Sequence, residues 1–148
     1  MERRIGMKIA VLDAQGAGLG KTIIKKIKKE IDSDIYLIAL GTNPVATSNM
    51  IKAGANTGIT GEKDICSFCE TNNPDCIIGP IGIICSGGIK GEITSSISQA
   101  VFKLECTKYI IPMQKHGIYI PGTTKLKIKD IIDEIISSIK ENIEKSPI

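Results

Sequence analysis

Met7–Thr22 reads MKIAVLDAQGAGLGKT. A nearly continuous apolar run, Met7–Leu12, ends in a glycine-rich turn, and the turn opens directly into a segment rich in Lys and Ile. Strand, glycine turn and helix start is how α/β proteins hold phosphate. The turn brings backbone N–H groups close to a ligand, and the helix N-terminus adds partial positive charge. The apolar run has the character of a strand buried on both faces of a parallel sheet. Leu19–Ile31 then reads as a helix, with Ile23, Ile24, Ile27 and Ile31 on one face and Lys21, Lys25, Lys26, Lys28 and Lys29 at the other positions.

The same alternation continues outward. Ile35–Leu40 is a second apolar strand, and Asn43 as N-cap with Pro44 at the first helical position starts a helix that Gly54 ends. Asn56–Gly61 reads as a polar, glycine-rich connection and Glu62–Glu70 as a helix. Cys76–Gly79 begins a third strand, which Pro80 and Gly82 interrupt. Ser86–Gly91 is a glycine-rich loop, and Thr94–Cys106 a helix in which Ser96 and Gln99 resemble a capping box. Lys108–Pro112 reads as a buried strand and Gly117–Ile120 as an edge strand. In Lys127–Glu144 an isoleucine stripe from Ile128 to Ile143 marks a long amphipathic helix.

Strands alternating with helices predict an α/β domain with a mostly parallel sheet of about five strands and helices on both faces. The domain is expected over residues 7–148, behind a disordered tail at residues 1–6. Ligands of such sheets bind at the C-terminal ends of the strands, where the glycine-rich turns of this chain gather.

Composition narrows the partners. With 148 residues the chain is long enough for one core. It carries 19 basic and 16 acidic residues and only 3% aromatics, a poor match to a nucleic-acid surface. No apolar run reaches bilayer length. The five cysteines, an odd number without a signal peptide, point to reduced thiols in the cytoplasm.

Three phosphate-loop patterns compete for Ala14–Thr22. The dinucleotide fingerprint fits Gly16 and Gly18 but places its third glycine on Lys21; Walker A fits Gly20, Lys21 and Thr22 but has Gln15 where its first glycine belongs. A dehydrogenase-like G-x-x-x-G-x-G fits Gly18 and Gly20, with Ala14 in the first position. Neither Cys76–Gly79 nor Lys108–Pro112 ends in the Asp that an NTPase needs for Mg²⁺. After the second strand, where a dinucleotide site expects an acid, stand Gly41, Thr42 and Asn43.

No catalytic constellation follows. Tyr36, Tyr109 and Tyr119 all lack the Lys four residues on that short-chain dehydrogenases use. His116 is the lone histidine, in a Lys-His-Gly loop. Cys66-x-x-Cys69 falls within a helix and lacks a second ligand pair for zinc. Asp13 and Glu92 read as structural carboxylates, Glu92 through its charge near a helix start.

The blocks DAQGAGLGK, ALGTNPVATSNMIKAGAN, GITGE, IIGPIGI and GEIT, in that order, resemble a bacterial family of small Rossmann-like proteins, domain of unknown function 3842. The resemblance covers Met7 to about Gly122; where the family carries Gly, this chain has Ala14. It implies a Rossmann-like three-layer sandwich and a binding class, without an activity. The expected ligand is NAD(P) or another nucleotide, without a metal. Gly16, Ala17, Gly18, Leu19, Gly20 and Lys21 would cradle its phosphate, Thr42 and Asn43 would lie near its ribose, and Gly79 and Pro80 would shape the opposite wall. The module would work as a homodimer or with a partner subunit. A subunit of an oxidoreductase, a divergent P-loop-like enzyme and an interaction protein without ligand remain as alternatives.

Overall fold

The structure, a computed structural model, describes residues 6–32, 34–113 and 117–145. The first strand, β1 (Met7–Asp13), sends alternate side chains into two cores. Met7, Ile9 and Val11 enter one, while Ala10 and Leu12 enter the other. This alternation is why the run is apolar almost throughout: a central parallel strand has no solvent face.

Against the first core pack α1 (Gly18–Glu30), α2 (Pro44–Ala53) and α5 (Ile128–Lys145), through Ile23, Ile24, Ile27, Met50, Ile132 and Ile136. Against the second pack α3 (Glu62–Thr71) and α4 (Ser95–Lys103), through Ile65, Phe68, Ile97 and Val101. Between the helical layers lies one sheet containing β1, β2 (Ile35–Gly41), β3 (Thr57–Thr60), β4 (Cys76–Pro80) and β5 (Thr107–Ile111). Its order is β3-β2-β1-β4-β5 and every pairing is parallel. A three-layer α/β sandwich of the Rossmann-like kind results, with five strands as expected. Among the described residues no helix is long and apolar enough to cross a membrane.

Several local expectations are corrected. Asn56–Gly61 is not simply a connection, because it contains β3. Asn56 Oδ1 accepts from Leu37 N at 2.8 Å and Asn56 N donates to Leu37 O at 2.9 Å, seating the segment on β2. Thr60 Oγ1 then donates to Thr47 Oγ1 of α2 at 2.8 Å. The cap of α4 is Thr94, whose Oγ1 accepts from Ile97 N at 3.3 Å, and not Ser96. That helix ends at Lys103, so Cys106 lies beyond it. The strand predicted as buried at Lys108–Pro112 is β5, the half-buried edge of the sheet. Gly117–Ile120 pairs with no described strand; its Ile118 turns toward the crevice described below. His116 and residues 1–5 of the expected tail lie outside the described residues.

Candidate functional site

From β1 the chain moves outward to β2 and β3, whereas β4 and β5 extend the other side of the sheet. The loops leaving the C-terminal ends of β1 and β4 therefore part in opposite directions, which is where α/β sheets open a ligand crevice. A crevice of about 740 Å³ lies there. One wall is the β1–α1 loop with the start of α1, residues 13–19; the other is formed by Pro80–Gly82 and Cys85–Lys90, with Met113 and Ile118 also contributing.

Asp13 shapes the first wall from below. Its Oδ1 accepts from Ala14 N and its Oδ2 from Gly20 N, both at 2.8 Å. Ala17 N closes the loop onto Ala14 O at 2.9 Å. Asp13 thus caps the third N–H of α1, a task that Ala17 at the N-cap has no side chain to perform. The N–H groups of Gly18 and Leu19, the first two of the helix, meet no protein acceptor among the described residues. They are donors at a positive helix end, beside the crevice.

The second wall is a tight loop closed by its own backbone. Gly87 N donates to Ile93 O at 2.8 Å, Gly88 N to Cys85 O at 2.9 Å and Gly91 N to Gly87 O at 3.0 Å. Ile89 and Lys90 are held at φ 50° and 53°, and across the crevice Gln15 and Ala17 lie at 53° and 54°. These are all the non-glycine residues with positive φ among those described, and every one lines the crevice. A β-branched residue such as Ile89 reaches this region only under strain, and such strain concentrates at functional sites.

Glu92 fastens the two walls. Its Oε1 accepts from Thr42 Oγ1 at 2.6 Å, Asn43 Nδ2 at 2.9 Å and Gln15 N at 3.0 Å. Burial pushes the Glu92 carboxyl up, but these three hydrogen bonds outweigh it and hold the group below the ordinary carboxylate range. Asn43 Nδ2 also donates to Gln15 O, and Asn49 Nδ2 to Gly16 O, each at 3.0 Å.

Of the residues singled out in the sequence, Gly16, Ala17, Gly18, Leu19 and Pro80 line the crevice; Gly20, Lys21, Thr42, Asn43 and Gly79 do not. The glycines divide the same way. A Cβ at Gly20 would lie 2.7 Å from Met50 Sδ and 3.2 Å from Asp13 Cβ, and one at Gly79 would lie 2.7 Å from Leu12 O. Packing against backbone requires the glycine at Gly79, and at Gly20 a Cβ fits only if the Met50 side chain shifts. At Gly16 and Gly18 a Cβ would meet nothing within 4 Å, and neither residue has a positive φ. Because α1 starts at Gly18, Gly20-Lys21-Thr22 forms helix instead of a loop wrapped around phosphate, and Thr22 Oγ1 donates to Gly18 O at 3.0 Å.

The sequence places the Gly79–Gly82 turn, and the Ser86–Gly91 loop beside it, at this edge of the sheet, but it singles out neither Ile81, Ile89, Lys90 nor Met113 as lining residues, nor Glu92 as the fastening. The glycine run of Ser86–Gly91 was the available signal for the loop. Cys85 lines the crevice, while Cys66 and Cys69 sit on α3 at a separate groove beside α4. Burial drives the thiols of Cys69 and Cys76 up, to about 11 and about 12. Among the described residues no cluster of side chains has the makings of a metal site.

The model of a domain of unknown function, DUF3842, matches residues 8–144. The chain belongs to the DUF3842 family. A dodecameric FMN-dependent UbiX-like decarboxylase from Escherichia coli O157:H7 is similar in structure, with a TM-score of 0.51 and 11% identity over 95% of this chain and 96% of its own. AibC has a TM-score of 0.48 and 14% identity over 94% of this chain and 34% of its own. A mutant FtsZ from M. jannaschii has a TM-score of 0.48 and 16% identity over 94% of this chain and 57% of its own. At 11% identity the decarboxylase is alike in fold. Among curated proteins no match is found.

Proposed function

We propose that this DUF3842 protein binds a phosphorylated ligand of the nucleotide class in the crevice between the β1–α1 loop and the loop after β4. The phosphate would accept from the N–H groups of Gly18 and Leu19 at the positive end of α1. The rest of the ligand would lie against Pro80, Ile81, Ile89 and Met113. FMN, on which the E. coli decarboxylase depends, is one ligand of this class, and NAD(P) is another.

Gly16 and Gly18 carry this reading. Neither backbone conformation nor packing requires glycine there, and the space a side chain would take is open. Glycine at such a position fits a ligand that must come close to the backbone.

The test is a thermal-shift screen of the full chain against NAD, NADP, FAD, FMN, ATP, GTP and coenzyme A, with and without Mg²⁺. A ligand that binds the folded state raises Tm by mass action. A shift with at least one of them is expected, and silence from all of them would overturn the proposal.

A further inference from the structure

We infer that the crevice takes a ligand with one phosphate-bearing end and one compact body, a mononucleotide, and rejects dinucleotides, because side chains stitch shut the side of the β1–α1 loop that faces β2. This inference rests on the crevice being a phosphate site. In a dinucleotide site the pyrophosphate sits over the first βα turn with a nucleoside on either side, and one ribose is held at the end of the second strand. At that strand end Thr42 and Asn43 are already engaged. Both donate to Glu92 Oε1, which also takes Gln15 N, so a side chain from the far wall lies over the end of β2.

Two further ties close the same side. Asn43 Nδ2 reaches Gln15 O and Asn49 Nδ2 reaches Gly16 O, so the cap and the middle of α2 are sewn to the phosphate loop at consecutive carbonyls. A second nucleoside placed there would have to break these bonds and leave a carboxylate and amides to find new partners. The opposite side is open. There Pro80, Ile81, Ile89, Met113 and Ile118 present apolar surface to a single ring-bearing body. The volume of the crevice does not make this distinction; its closed side does.

The experiment measures binding of matched pairs to the full chain by calorimetry: FMN against FAD, AMP against NAD, and nicotinamide mononucleotide against NAD. At least one mononucleotide is expected to bind at least about tenfold more tightly than the dinucleotide containing it. Glu92→Ala, checked for a cooperative melt, should narrow that ratio by admitting the dinucleotide. A dinucleotide that binds the unmodified chain as tightly as its mononucleotide half would overturn the inference and leave the phosphate site standing. Failure of every probe would overturn the phosphate site itself, and the inference with it. A ratio unchanged in Glu92→Ala would overturn the closure as the cause of the discrimination.

Discussion

Glu92 Oε1 receives hydrogen bonds from three parts of the chain: the β1–α1 loop, the end of β2 and the cap of α2. A carboxyl held below its ordinary range by such bonds stabilises the fold when ionised. That contribution is present above the unfolded pKa and is lost as pH falls through the folded one. The Tm advantage of the unmodified chain over Glu92→Gln should therefore be fullest at neutral pH. It should narrow as pH falls below the ordinary carboxylate range and through the lowered folded pKa, where the carboxyl takes up its proton and resembles the amide. The carboxyl is only part-buried, so the gap will be modest. Thermal melts across pH check this, and a gap independent of pH would contradict it. Gly18 makes the complementary case. Ala at the first position of α1 needs no strained backbone and meets no neighbour, so Gly18→Ala should leave stability unchanged or raise it by about 0.4–1 kcal/mol.

At the scale of elements, Asn43 does two jobs with one amide. Its Oδ1 caps α2 by accepting from Ala46 N at 2.9 Å, and its Nδ2 binds Gln15 O and Glu92. Asn43→Ala should cost about 1 kcal/mol or more, a few degrees in Tm. Asn43→Asp keeps the cap but loses both donor bonds and sets a second carboxylate against Glu92, so it too should lower Tm. Equal stability of Asn43→Asp and the unmodified chain would show that the ties contribute nothing. Packing of α2 on the sheet is stricter still. A Cβ at Gly41 would lie 2.6 Å from Thr47 N, a backbone atom, so Gly41→Ala should destabilise far more than Gly18→Ala in the same melt. These elements differ in how plainly the sequence announces them. Asn43-Pro44 is a local signal and its helix starts where expected. The strand β3 has only four residues with a glycine among them, and pairing with β2 through Asn56 makes it a strand, so no periodicity could reveal it. Thr94 and Ser96 are both chemically able to cap, and only the geometry of the loop before α4 selects Thr94.

At the scale of the whole molecule, the sheet order places the ends of β1 and β4 side by side and so creates the crevice. The half of the site contributed by the β1–α1 loop was legible, because strand, turn and helix start are contiguous in sequence. Of the other half, Gly79 and Pro80 were singled out as the opposite wall and Pro80 lines the crevice, but the rest was not legible. Ile89 and Lys90 come from a loop after β4, and Glu92 meets Thr42 across 50 positions, a distance over which spacing carries no information. The same separation explains why Thr42 and Asn43 look like ribose contacts in the sequence and turn out to hold Glu92. Fold and phosphate reading meet at Gly18, where the protein needs no glycine and a ligand would. Calorimetric titration of the unmodified chain and Gly18→Ala with the strongest ligand from the screen, alongside a melt of each, tests this most directly. Binding lost in a variant at least as stable as its parent is the predicted result; equal affinity of the two proteins would contradict it.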